Sequence, residues 1–283
     1  MVPTGHAALG RVNATSPNHR MQGVGAAERM SDRKLIDRRT GRAKRLAARL
    51  VRTRAVRMVN ERPIISFTFD DFPKSAVHNG ASILERRALA GTYFLSRSFN
   101  GARVDGIDYY DLADLRRLID NRHEIGCHTA SHLHVPQVSR ARLVKDIAAN
   151  AEFLREHFGD LRMTTFAFPF GDLDMPSKLL LQARFAACRS TLPGVNRGVA
   201  DLGSLRAERL YSRLTEAGAV RSLISRSARP KTWLILYTHD VDDDPSPYGC
   251  APPLLAAAVE SALAAGCLIL PVREALRKIS VAD

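Results

Sequence analysis

Beyond Arg62 the chain alternates short apolar runs with amphipathic stretches. The runs predict strands at Ile64–Phe69, Gly91–Leu95, Glu124–Cys127, Thr165–Phe168, Ala186–Arg189, Trp233–Tyr237 and Leu268–Leu270. Between them, apolar positions three and four apart predict helices at Gly80–Ala90, Asp111–Asn121, Ser139–Phe158, Ser177–Ala183, Thr215–Ser227, Pro252–Ala265 and Val272–Ile279. Asp111 and Ser139 are suited to cap helix starts, and Gly91 and Gly266 to end helices. About seven strands alternating with helices imply an α/β fold with a parallel sheet, either closed into a barrel or open and doubly wound. No internal repeat is visible.

The segment before this pattern is different. From Ser31 to Asn60, Leu35, Ala43, Leu46, Ala47, Leu50 and Val51 fall at helical spacings among Arg38, Arg42, Arg45, Arg49 and Arg52. This predicts a basic, weakly amphipathic helix. Residues 31–62 hold twelve Lys or Arg against three acids, whereas residues 63–283 are close to balanced, at 27 against 25. The net charge of +13 therefore belongs to an arm. Three readings of the arm stand: a solvated extension, attachment to an anionic membrane surface, or contact with nucleic acid. The last is not expected of the near-neutral domain. The expected division is a basic extension over 1–60 and one catalytic domain over 61–283. Met30, ahead of Ser31 and Asp32, is an alternative start.

With 283 residues, 45% of them hydrophobic, the chain can bury one sizeable core. No run reaches the roughly 20 apolar residues of a membrane span, and no secretory h-region is visible; the expected location is cytoplasmic, with the arm reaching the inner membrane face. Cys127, Cys188, Cys250 and Cys267 form no CxxC pair and are expected to be buried free thiols.

The chemistry lies where apolar runs end. Thr68-Phe69-Asp70-Asp71 closes the first strand with two adjacent carboxylates. Neighbouring strand side chains face opposite ways, so the two acids are expected to do different jobs, with the strand end letting both turn inward. Alone, such a pair is commonly a helix cap. His128-Thr-Ala-Ser-His132 follows the strand Glu124–Cys127 with a metal-ligand spacing on a helix or tight turn. Two imidazoles and one carboxylate leave positions open for water, as catalytic zinc requires. Leu236-Tyr-Thr-His239-Asp240 brings a proton donor to the end of a third apolar run.

At these residues the chain resembles the polysaccharide deacetylase family, the NodB-homology domain of carbohydrate esterase family 4, over about Pro63 to Ser280. The resemblance implies a deformed (β/α) barrel, NodB-like, with about seven parallel strands and a divalent metal, most often Zn2+, with Co2+ an alternative. It implies Asp71, His128 and His132 as metal ligands, Asp70 as general base and His239 as general acid. The backbone N–H of Phe170, beside Pro169, would help stabilise the oxyanion; Asp240 either orients His239 or caps the following loop. Two features depart from the family. Where many members carry Arg-x-Pro-Tyr, this chain has Ala167-Phe168-Pro169-Phe170, so another group must set the charge of Asp70, with Arg189 and Arg206 as candidates. The family's fourth motif, an Asp with a nearby Trp, has no counterpart; that region reads Arg189-Ser-Thr-Leu-Pro193-Gly-Val-Asn196, and the single tryptophan is Trp233.

The implied activity is removal of N-acetyl groups from an amino-sugar oligosaccharide or glycoconjugate. An O-acetyl esterase, a non-sugar amide hydrolase and a degenerate glycan-binding module remain alternatives. Asp108, Tyr109, Tyr110, Asp243, Asp244 and Tyr248 are candidates for gripping sugar, and Phe69, Phe72, Phe168 and Phe170 for lining the pocket. His123 and His134 are candidates for supporting groups.

Overall fold

The structure, a computed structural model, describes residues 45–280. The part of the expected arm before residue 45 lies outside the described residues. The strands are β1 (Ala55–Arg57), β2 (Ile64–Asp70), β3 (Thr92–Leu95), β4 (Arg103–Val104), β5 (Ile107–Asp108), β6 (Glu124–Cys127), β7 (Thr165–Ala167), β8 (Ala187–Arg189), β9 (Asn196–Arg197), β10 (Val199–Asp201), β11 (Glu208–Arg209), β12 (Thr232–Thr238) and β13 (Leu268–Ile269). The longer helices are α1 (Leu112–Asp120), α2 (Arg140–Phe158), α3 (Met175–Gln182), α4 (Ala217–Ser227), α5 (Pro252–Ala264) and α6 (Val272–Ile279).

Seven strands run parallel in the spatial order β11, β12, β2, β3, β6, β7, β8, and β13 pairs with the start of β2. The sheet curls into a deformed barrel. Its gap is spanned by the chain from Leu202 to Arg209: the N–H groups of Cys188 and Ser190 donate to the carbonyls of Leu202 and Leu205, and Glu208–Arg209 pairs with β12.

β2 and β12 are buried along their whole length, as strands covered on both faces must be. Alternation still divides them. Ile65, Phe67 and Phe69 of β2 pack outward with Leu234 and Leu236 against residues of α4 and α5. Ile64 instead packs with Trp233, Ile235 and Tyr237 in a second cluster inside the barrel. Ser66, Thr68 and Asp70 continue that inward column. The Ser66 hydroxyl donates to the Leu270 carbonyl and accepts from the Trp233 indole, and the Thr68 hydroxyl donates to the Leu236 carbonyl. Trp233 is thus part of the interior packing.

The expected helix Gly80–Ala90 is instead a wide π-type turn over Ala76–Ala81, a short α-turn over Ser82–Glu85 and a reversal in which Ala88 has φ 53°. Gly80 lets this segment run close over β2: a Cβ there would lie 3.0 Å from the side chains of both Phe69 and Val241, which would have to give way. Helices α1 and α2 begin where expected, with Asp111 forming a reciprocal capping box with Asp114 and Ser139 accepting from the Arg142 N–H.

Residues 45–60, read in the sequence as the end of the arm, pack onto the barrel. Residues 45–50 are helical, Ala48 and Met58 are 1% exposed, and β1 pairs antiparallel with β10. The buried Lys178 of α3 donates to the carbonyls of Ala48 and Val51 and pairs with Asp201 at 2.6 Å, while the other oxygen of Asp201 accepts from the Arg54 and Gly203 N–H groups. No described helix is long and apolar enough to cross a membrane.

Candidate active site

The inward column of β2 ends in Asp70. The chain then leaves extended geometry, with Asp71 at φ 55° and Phe72 at φ 24°, so the second carboxylate turns to the same cavity and not to the opposite face. The Asp71 N–H donates to the Phe94 carbonyl and the Ser96 hydroxyl donates to Asp71 Oδ1 at 3.3 Å, which hold the bend.

Beyond β6 the two histidines sit on a tight turn, where Thr129 and His132 both have positive φ. Asp146 of α2 accepts from the Ala130 and Ser131 N–H groups, and the Thr129 hydroxyl accepts from Leu133 N–H, so the turn is tied at both ends. His132 Nε2 lies 3.2 Å from Asp71 Oδ2 and His128 Nε2 lies 3.8 Å from Asp71 Oδ1. One ligand atom from each of Asp71, His128 and His132 falls within 4.8 Å of the others. His128 Nδ1 is 2.8 Å from the Ala167 carbonyl. A carbonyl only accepts, so Nδ1 carries the proton and the Nε2 lone pair faces Asp71, the orientation a metal-bound imidazole needs. Burial pushes the imidazoles down, His128 to about 3 and His132 to about 4, so both are neutral ligands near pH 7. The donor set fits a divalent cation such as zinc.

The two adjacent acids are driven apart. For Asp70, burial opposes ionisation, but the Arg189 guanidinium, with His128 and His239, more than offsets it and holds the carboxyl below its ordinary value. For Asp71, burial and the neighbouring Asp70 charge push the pKa well above its ordinary value. Arg189, 1% exposed at the end of β8, pairs with Asp70 Oδ1 through Nη2 and lies 5.2 Å from the Phe94 ring and 5.0 Å from the Tyr237 ring. Its Nε and Nη1 have no partner among the described residues. Arg206, the other candidate, donates to the Pro193 carbonyl. The charge beside Asp70 thus comes from β8, one strand beyond Ala167 in β7.

His239 follows β12 and lines the same cavity as Asp70. Its Nδ1 is 3.2 Å from the Tyr248 carbonyl, which leaves Nε2 as the nitrogen free to exchange a proton with a ligand. Burial lowers its pKa while the Asp70 charge raises it, and the net shift is downward. Asp240 is turned elsewhere: its carboxylate accepts from the Ser246 N–H at 2.7 Å and from the Ser246 hydroxyl. It caps the loop after β12, and the Tyr248 carbonyl orients His239.

Phe170 is 53% exposed at the rim, stacked on His134 at 3.7 Å and tilted against His132 at 4.4 Å. It adopts φ 58°, and the following Gly171 has φ 62°, with the hypothetical Cβ of Gly171 only 1.8 Å from Thr191 Oγ1. Pro169 is buried beneath this turn. The cavity, of about 490 Å³, holds Asp70, Asp71, His128, His132 and His239 beneath walls that include Phe99, Tyr109, Tyr211 and Tyr248.

Five sequence-selected residues (Asp70, Asp71, His128, His132 and His239) and Phe170 therefore meet in one cavity, whereas Pro169 and Asp240 support its loops. Of the candidate sugar grips, Tyr109 and Tyr248 line the cavity. Tyr110 is buried and donates to the Ser96 carbonyl. His123 is buried and accepts from the Gly91 N–H. Sequence reasoning missed Phe99, Tyr211 and Tyr237 of the cavity wall; only the adjacency of Tyr237 to His239 offered a signal.

Comparison with known families covers part of this constellation. Residues 58–186 match the family model described as polysaccharide deacetylase. These residues belong to the polysaccharide deacetylase family. The match spans Asp70, Asp71, His128 and His132 and stops before Arg189 and His239. Solved structures show the same fold. The chitin deacetylase of Colletotrichum lindemuthianum superposes with a TM-score of 0.56 at 17% identity, covering 78% of this chain and 91% of that one. A family 4 acetyl xylan esterase from Clostridium thermocellum, solved with a cobalt ion, gives 0.52 at 18% identity, covering 75% and 89%. A mutant of BA3943, described as a CE4-family pseudoenzyme, gives 0.55 at 14% identity, covering 82% and 74%. No curated protein matches the chain.

Proposed function

We propose that this polysaccharide deacetylase-family protein is a metal-dependent hydrolase that removes N-acetyl groups from an amino-sugar oligosaccharide or glycoconjugate. The observation that carries the reading is the meeting of the Asp71–His128–His132 cluster with an Arg189-paired Asp70 in one aromatic-walled cavity. When bound by Asp71, His128 and His132, a divalent cation would supply Lewis acidity toward the acetyl carbonyl and acidify an attacking water.

The chain's own groups do the rest. Asp70 keeps its charge because Arg189 occupies Oδ1, and Oδ2 takes the proton of the attacking water. His239 delivers a proton from Nε2 to the departing amine, with Nδ1 held by Tyr248. The N–H of Phe170, at the rim, is the oxyanion donor in this reading. Tyr109, Tyr211, Tyr248 and Phe170 offer flat faces of the kind that stack on pyranose rings.

Chitin deacetylation by one fold neighbour supports the amide reading, and acetyl xylan hydrolysis by another makes the ester the second reading. Acetate release from N-acetylglucosamine oligomers and from acetylated xylan, with metal-stripped and zinc-loaded protein, tests both. Zinc-dependent release from the amide substrate is expected. Release from the ester alone reassigns the bond, and tight zinc binding with no release from either leaves a binding module.

A further inference from the structure

Beside the catalytic cavity lies a smaller one that the deacetylation reading leaves without a role. Its volume is about 130 Å³, a few times the roughly 30 Å³ that a water molecule occupies in the liquid, so it is sized for one compact group. Arg49, Arg52, Arg197 and Arg206 line it, together with Asp201 and Ser204. The Asp201 carboxylate does not neutralise them: it is taken up by Lys178 and by the Arg54 and Gly203 N–H groups. Arg52, Arg197 and Arg206 have no carboxylate partner among the described residues, and Arg49 reaches Asp172 only at 3.9 Å. Two donors are buried without an acceptor, Arg49 Nε and the hydroxyl of Ser204, a residue 3% exposed. Burying such donors unpaired costs free energy that an oxyanion would recover.

The two cavities share a wall. Arg49 Nη2 donates to the carbonyl of Gly171, which lines the catalytic cavity, and Thr191 lines that cavity while the next residue, Leu192, lines the basic one. The Pro193–Asn196 stretch beyond it closes the basic pocket, with the Asn196 side chain bridging to the Arg206 carbonyl and N–H. We propose that this pocket binds a tetrahedral oxyanion of the phosphate class. The anion is either free or carried by the acetylated sugar whose N-acetyl group sits at the metal cluster; only the second source rests on the deacetylase reading.

The test is calorimetric titration of the full chain, without added metal, with inorganic phosphate and with N-acetylglucosamine 6-phosphate. The same titrations are run on Arg52→Gln/Arg197→Gln, which changes two exposed side chains outside the catalytic cavity, and on Ser204→Ala. Phosphate affinity is expected to fall about tenfold for each arginine removed and by a smaller factor for Ser204→Ala, and to weaken with added salt. Tighter binding of the phosphosugar than of phosphate, lost in the same variants, assigns the anion to the substrate; equal affinity assigns free phosphate. Equal phosphate affinity in the wild type and the double variant, or no binding to either, overturns the site. Because no turnover is measured, that failure would leave the hydrolase reading standing.

Discussion

Two neighbouring carboxylates with opposite shifts give the site its division of labour. Asp70 is held ionised mainly against its own burial by Arg189. A carboxylate with a lowered folded pKa stabilises the fold above its ordinary value of 3.8, and that contribution is lost as pH falls through the depressed value. Arg189→Met leaves Asp70 buried and unpaired, so urea unfolding at pH 7 should show a loss of about 3–5 kcal/mol. Part of that loss should be regained on acidification, as Asp70 becomes protonated. Asp71 behaves in the opposite way, holding its proton to higher pH because of burial and Asp70. Zinc must displace that proton, since a ligand carboxylate is ionised. Zinc affinity should therefore rise with pH through the Asp71 titration and then level off, with no histidine step above about pH 4. Titration in buffers of differing ionisation enthalpy reads the released proton directly; zinc binding that releases no proton at any pH below the levelling-off would contradict it.

The TFDD and HTASH stretches were legible because their chemistry is local in sequence. The Asp70–Arg189 pair was not: its partners are 119 positions apart, and nothing in the sequence distinguishes Arg189 from Arg206. What decides is the inward alternation of β2 and β8, which apolar residues on both faces conceal.

At the level of elements, the seven apolar runs found β2, β3, β6, β7, β8, β12 and β13 to within about a residue, and all of these but β13 are buried along their whole length. β1, β9, β10 and β11 are two or three residues long and carry no alternation to read. Their role shows only in pairing, with β1 on β10 fixing residues 45–60 to the barrel. Removing residues 1–60 should lower the Tm relative to removing 1–44 by roughly 10 °C, because Met58 and Ala48 leave the core and Lys178 loses two acceptors. Equal Tm values would show that this docking contributes nothing. The Phe170 turn is equally constrained. Gly171→Ala places a Cβ at φ 62° within 1.8 Å of Thr191, so the turn must shift. Zinc affinity should change little, because no ligand is on that turn, while kcat/KM should fall about tenfold or more as Phe170 moves.

For the whole molecule, the curled sheet brings groups from the ends of β2, β6, β8 and β12 to one mouth, the arrangement that barrels of parallel strands provide for catalysis. Composition pointed to a basic arm and a neutral domain, but residues 45–60 carry basic side chains onto the domain itself, beside the catalytic mouth. Averaged charge could not reveal this, because it follows from how Lys178 and Asp201 seat that segment. The central claim is that Asp70 is the base of a metal-dependent deacetylation. It is tested most directly by acetate release from N-acetylglucosamine oligomers by the zinc-loaded wild type and by zinc-loaded Asp70→Asn. The account predicts zinc-dependent release in the wild type and a fall of about 10²–10⁴-fold in the variant, with zinc still bound. Release at the wild-type rate from Asp70→Asn, or none from a zinc-bound wild type, would contradict it.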